Sequence, residues 1–226
     1  MLKLKNCIFL VFSLFSICVF SQDEEFEDPN EFHFIQAKHS YIIDFLLPVS
    51  VKNKAFKGVM QGLVRSGIAY QYNFKNGISL GLGYQYTFFQ INKFKTPQLV
   101  FGGLHINSPY VKIGYDKFYS ERFGTEINCR IGYSMLSYFS DSLKRLGSKN
   151  YNKQNYSIEP SFALVLTGSK NTSYKWIFAY AFLAQDFNLN HIGLNANAGY
   201  VGNDLTNPIR YLSFGFSFSH YFRQRD

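Results

Sequence analysis

The residues able to do chemistry are few, and most of them stand apart. His33, His39, His105, His191 and His220 are scattered along the 226 residues. None lies in HExxH spacing and none accompanies a cysteine cluster, so the pattern supports no metal site. No GxxxxGK[ST] loop offers backbone amides to a phosphate, and no G-x-S-x-G turn presents a serine nucleophile. No catalytic residue and no cofactor is therefore assigned. What remains is a balanced set of charges: Asp44, Asp116, Glu126 and Glu159 against Arg65, Lys112, Arg130 and Lys175. Each lies inside an otherwise apolar, alternating segment. A buried charge is costly unless paired, and ionisable residues within a membrane usually pair with one another. The expected chemistry is an internal ion-pair network that fills a closed lumen. A proton or small-ion path through it is the alternative.

The elements that must position these charges are strands. Period-two alternation recurs in eight segments near 40–49, 61–73, 77–91, 108–119, 124–139, 155–167, 173–186 and 209–222. In 77–88, Ile78, Leu80, Leu82, Tyr84, Tyr86 and Phe88 oppose Ser79, Gly81, Gly83, Gln85 and Thr87. In 125–135, Ile127, Cys129, Ile131, Tyr133 and Met135 oppose Glu126, Asn128, Arg130, Gly132 and Ser134. In 174–182, Tyr174, Trp176, Phe178, Tyr180 and Phe182 oppose Lys175, Ile177, Ala179 and Ala181. One face is large and apolar, while the other is small, with a few charges. A narrow barrel has an interior that admits only small residues and some long polar ones. A lipid-facing surface has no such limit and takes Phe, Leu and Ile, with Tyr and Trp at headgroup level. The large face is therefore expected outside. In 211–222, Phe214, Phe216, Phe218 and Phe222 should meet lipid, with Ser213, Gly215, Ser217 and Ser219 inside and Tyr221 at the lower mouth. His220 belongs at the periplasmic headgroup level. Pro160 lacks a ladder donor and should mark a bulge or a strand end.

The connections add direction. Three are tight: Asn73–Gly77, Ser120–Gly124 and Gly168–Ser173, with Asn76-Gly77 the strongest hairpin signal. Four are long: 50–60, 92–107, 140–154 and 187–208. Long and short alternate, so a meander gathers all the long ones at one end, as in outer-membrane barrels. Residues 98–106 are assigned to the second long loop, since a ninth strand breaks the even count; the upper part of a long hairpin is the other reading.

Before the barrel, residues 1–21 read as a signal peptide: Lys3 and Lys5, an apolar run over 7–20, and the small Ser21. Lipidation is not expected, because Ile17 precedes Cys18. Cleavage removes Cys7 and Cys18 and leaves Cys129, which cannot close an internal disulfide. Residues 22–38 form an acidic leader with a periplasmic position, expected to be solvated and disordered; residues 39–226 form the barrel. The formal charge of +8 falls by two with Lys3 and Lys5.

Signal peptide, eight alternating strands, alternating turns and loops and an aromatic final strand together resemble the small eight-stranded outer-membrane barrels of Gram-negative bacteria, the OmpA/OmpX type. The resemblance covers about residues 40–222 and is one of architecture. The type's final strand usually ends on an aromatic; here Arg223, Gln224, Arg225 and Asp226 follow Phe222. The resemblance implies an all-β, antiparallel, up-and-down transmembrane barrel in the outer membrane, in contact with outer-membrane lipid and lipopolysaccharide. Some barrels of this size deacylate lipid A with a His-x-Ser-Asn pattern. The nearest stretch here, Asn190 to Asn195, has Gly193 where the serine belongs, so the first step lacks its nucleophile. The long loops are basic: Lys52, Lys54 and Lys57; Lys93 and Lys95; Lys144, Arg145, Lys149 and Lys153. They suit an anionic leaflet. The expected role is structural or interactive: a closed barrel presenting these loops, or a subunit of an envelope assembly for secretion or motility. Envelope proteins are the expected partners, through the loops or the leader, and nucleic acid is not. A narrow channel and a lipid-modifying enzyme are the alternatives.

Overall fold

Large side chains at alternate positions leave each strand with one face to hide from water and one to fill a lumen, and the chain solves both by closing on itself. In a computed structural model, which describes residues 39–74, 76–96, 100–120, 122–147, 150–169, 171–194, 200 and 203–222, eight antiparallel strands pair in chain order and the last pairs with the first. They are β1 (His39–Lys52), β2 (Met60–Asn73), β3 (Ile78–Ile91), β4 (Gly102–Phe118), β5 (Phe123–Ser140), β6 (Tyr151–Ser169), β7 (Thr172–Asp186) and β8 (Pro208–Tyr221). Closure gives every strand a partner on both sides. The signal peptide, the acidic leader and Lys149 lie outside the described residues.

The register sends the expected faces in the expected directions. Phe45, Phe216 and Trp176 are neighbours across β1, β8 and β7 on the outer surface, and Phe216 is 67% exposed. Ser213, Ser217 and Ser219 are buried inside, while His220 faces out. Tyr221 turns inward at the lower end, its hydroxyl 2.9 Å from Ser173 Oγ. Tyrosines flank the apolar band: Tyr41 and Tyr70 meet at 5.5 Å near the lower edge, Tyr133 and Tyr156 at 5.6 Å near the upper. A band of about ten residues per strand, tilted, matches the ~25 Å apolar height of a bilayer-spanning barrel.

The three tight turns and both ends of the barrel share one rim. At Asn76-Gly77, Gly77 adopts φ +83°, and a Cβ there would sit 2.7 Å from the Asp116 carbonyl oxygen; glycine is required twice over. Three corrections concern the other rim. Residues 102–106 belong to β4, so the second loop is shorter than expected: the apolar Leu104 and Ile106 continue the inward row and pair with β5. Residues 151–154, including Lys153, belong to β6. The first, third and last loops hold short helices: α1 (Lys54–Val59), α2 (Asp141–Arg145), a 3-10 turn (Leu189–Ile192) and α3 (Asn203–Thr206). Pro160 marks neither a bulge nor a strand end. The β6–β7 pairing passes from Ile158↔Phe182 to Ser161↔Ala179 in unbroken register, and Pro160 faces outward in mid-strand.

Candidate functional site: an ion-paired lumen under an apolar plug

Alternation alone places all eight expected charges inside, and all eight are buried there, none more than 7% exposed. They assemble in two tiers. In the upper tier Arg65 on β2 pairs with Glu159 on β6 and donates to Gln85 Oε1 on β3 at 2.8 Å. Arg130 on β5 donates to Asp44 Oδ2 on β1 at 2.7 Å and lies 3.8 Å from the same Glu159. Its guanidinium stacks over the Tyr110 ring of β4, 5.1 Å from the centroid. In the lower tier Glu126 receives two lysines: Lys112 on one oxygen and Lys175 on the other at 2.5 Å. Lys112 also donates to Gln71 Oε1 at 2.6 Å, and Gln71 Nε2 reaches Asp116 Oδ2 at 3.3 Å. Asn128 links Glu126 to Ser161 through two bonds of 2.6 Å.

This geometry crosslinks distant strands. Asp44, Glu126 and Glu159 are each met by a cation from another strand, which offsets the desolvation that a lone ion in the barrel would carry; Asp116 is in no described ion pair and meets the Gln71 amide instead. It also occupies the lumen, because eight strands enclose only enough space for side chains. A search for charges finds the ions but misses Gln71 and Tyr110. Gln71 extends the lower tier and Tyr110 packs the upper one, and their inward phase was the signal available.

Above the upper tier the interior changes character, and here the expectation of a small, polar lumen fails. The inward rows continue with Phe89 and Ile91 on β3, Leu104 and Ile106 on β4, Leu136 and Tyr138 on β5, Leu183 on β7 and Tyr211 on β8. Onto them fold Ala55, Phe56 and Val59 of α1 and Phe187, Leu189, Ile192 and Leu194 of the last loop. The Phe56 ring meets Phe89 at 5.0 Å and Phe187 at 5.2 Å, both edge-on, a favoured aromatic geometry. Phe89 meets Tyr211 at 5.3 Å. The result is a dry plug across the outer mouth. The available signal was apolar residues on both faces at strand tops, as in Phe88-Phe89, Met135-Leu136 and Phe182-Leu183.

Two buried polar residues pin the loops into this plug. Asn53, at φ +70°, accepts from the Phe56 amide at 2.9 Å and donates to the Asn207 carbonyl at 2.6 Å, joining the first loop to the last. Ser140 accepts from the Leu143 amide at 3.0 Å and donates to the Ile192 carbonyl at 2.6 Å, joining the third loop to the last. His191 stacks on Tyr151 at 4.6 Å, and its Nδ1 accepts from the Asn188 amide at 3.3 Å. Burial lowers its pKa below the usual histidine value. Gly193, the position a nucleophilic serine would need, ends the 3-10 turn in the left-handed region.

Among the described residues, several basic loop side chains have local partners. Lys54 pairs with Asp204 at 3.0 Å and Lys144 approaches Asp141 at 3.7 Å. Lys153 lies beside the Tyr151 ring, 5.7 Å from its centroid. Lys52, Lys57, Lys93, Lys95 and Arg145 are exposed. Among the described residues no group of three or more His, Cys, Asp or Glu is placed to hold a metal, and no helix is long and apolar enough to cross a membrane.

The neisserial surface protein NspA superposes with a TM-score of 0.56, over 82% of this chain and 98% of that one, at 10% identity. The fold is that of a small eight-stranded outer-membrane barrel. Ail of Yersinia pestis, solved with the heparin analogue sucrose octasulfate, gives 0.48 at 12% identity, over 81% of this chain and 97% of its own. OprG of Pseudomonas aeruginosa gives 0.45 at 11% identity, over 82% and 98%. No protein-family model matches the sequence, and no curated protein does.

Proposed function

We propose that this chain is a non-conducting barrel of the Gram-negative outer membrane, acting through the surface it presents outside. The observation that carries this reading is the plug, in which the first and last loops pack their apolar residues across the mouth above an ion-paired lumen. Two seals in series suit a scaffold better than a pore. The lipid-facing band supports the outer-membrane placement, since helices and closed barrels are the structures that satisfy every backbone group in a bilayer. What remains accessible is the loop surface, where Lys52, Lys57, Lys93, Lys95 and Arg145 are exposed. Such a surface suits an anionic envelope component, whether lipopolysaccharide or an acidic face of an assembly for secretion or motility. Gly193 stands where a His-x-Ser-Asn pattern would need its serine, which favours a non-enzymatic role.

The test is reconstitution of the full chain into planar bilayers, with purification from gently solubilised membranes in parallel. Silent bilayers and stable co-purification with envelope components are expected. Steady conductance from a lone barrel supports the channel reading instead, and an altered lipid A mass spectrum on gene deletion supports the enzyme.

A further inference from the structure

A cleft of about 380 Å³ opens where β1 and β2 part at the outer rim. Their pairing runs from His39↔Tyr72 to Leu46↔Arg65 and stops, although β1 continues to Lys52 and β2 begins at Met60. Two local features cause the parting. Pro48 has no amide hydrogen to give. In β2 the pairing with β3 skips from Gly62↔Phe89 to Val64↔Phe88, an extra residue that bends the strand and leaves Leu63 and Val64 both exposed. The strands touch once more at Gly62, where a Cβ would lie 1.9 Å from the Pro48 carbonyl oxygen.

The walls of this cleft are of two kinds. Leu47, Val49 and Met60 are apolar, and Lys57, Lys95 and Asn92 are polar. The outward row Leu47, Val49, Val51 continues the lipid-facing band to the top of β1, where Lys52 ends it. The cleft therefore sits at the boundary between hydrocarbon and headgroups. Neither Lys57 nor Lys95 forms an ion pair among the described residues, whereas neighbouring Lys54 does. An apolar wall at chain depth and two uncompensated ammonium groups above it match one kind of molecule. Its volume is at the lower end of small-molecule sites, enough for a headgroup and the start of a chain.

We propose that the β1–β2 cleft binds a phosphorylated acyl lipid of the outer leaflet, its phosphate held by Lys57 and Lys95 and its chain lying on Leu47 and Val49. This deepens the reading above, on which it rests: the scaffold fixes a particular lipid at one point of its rim. The test uses the full-length barrel in neutral detergent micelles with diphosphoryl lipid A as the probe, read by native mass spectrometry. Wild type should retain one lipid. The double variant K57A/K95A should lose retention by roughly ten- to thirty-fold, as expected for two basic contacts at a lipid surface. K144A/K153A, which removes the same charge elsewhere, should not. Val49→Trp keeps the charges, fills the chain wall and should also reduce retention; heat-modifiable migration in gels checks that each variant is folded.

Equal loss in both double variants, or none in either, overturns the proposal. Displacement of the lipid by inorganic phosphate at matched concentration also overturns it, because the cleft is then a free-phosphate site. None of these results affects bilayer silence. Release of the wild-type protein as a detergent-free soluble form would sink the membrane reading along with the cleft.

Discussion

Phe56→Ala tests the plug directly. The side chain is fully buried between Phe89 and Phe187. Truncating a buried phenylalanine costs about 3–5 kcal/mol. Phe56 contributes nothing to the barrel ladders, so the loss should fall on the docking of α1. At about 1.4 kcal/mol per decade, the docked-to-undocked ratio of the first loop drops by roughly two to three and a half decades. The side chains of Lys54 and Lys57 are already exposed; undocking frees the backbone around them to enter the trypsin site. The assay is limited proteolysis of the folded protein in micelles, with gel migration showing an intact barrel. Cleavage in the first loop should accelerate at least a hundredfold, while conductance stays silent because the ion pairs still fill the lumen. Ion flow should require a second change in the upper tier, Arg130→Ala in the same chain. Unchanged proteolysis in Phe56→Ala would falsify the plug as a packed unit. Large conductance from Phe56→Ala alone would show that the lumen network is no barrier.

Further outcomes follow from the same geometry. Glu126→Gln leaves Lys112 and Lys175 facing each other without their carboxylate and should destabilise the barrel by about 3–5 kcal/mol, seen as a lower urea midpoint for the heat-modifiable form. Asn53→Gly relieves the backbone at φ +70° but loses both side-chain links, whereas Asn53→Ala loses the links and keeps the strain; alanine should speed first-loop proteolysis more than glycine. His191 has a lowered folded-state pKa, so the plug binds fewer protons than the undocked loop near neutrality. Its contribution is whole above the ordinary histidine pKa and declines as pH falls through the folded value. Last-loop proteolysis should therefore rise between pH 7.5 and 5, and His191→Phe should flatten that dependence. Phe216→Arg places a cation near the middle of the lipid-facing band and should cost about 2–4 kcal/mol in refolding into vesicles.

Much of this barrel is legible in one dimension because strand geometry is local. A side chain at position i faces the same way as one at i+2, so a single charged residue with known phase is enough to place a whole strand. That is why Asp44, Arg65, Lys112 and Glu159 could be put inside without knowing any partner, and why Phe214 to Phe218 could be put outside. The count and pairing of strands follow from the turn chemistry of Asn76-Gly77 and from the alternation of short and long connections.

The partners themselves are a tertiary matter. Nothing near Arg65 in the chain points to Glu159, and nothing near Glu126 points to Lys175; these meetings across the lumen exist only once β1 has closed on β8, whereas Lys112 and Glu126 already share the β4–β5 hairpin. The plug is further still from view. Phe89, Leu104 and Leu183 obey the inward phase, but whether an inward position meets small polar groups or a packed apolar core depends on what descends into the mouth. Helix α1 and the last loop supply that core, and they do so because closure brings their ends within reach of one another. By itself the sequence determined which way each side chain points. Only the closed sheet decided what each one touches, since strand phase is a property of neighbouring residues and burial a property of the whole chain.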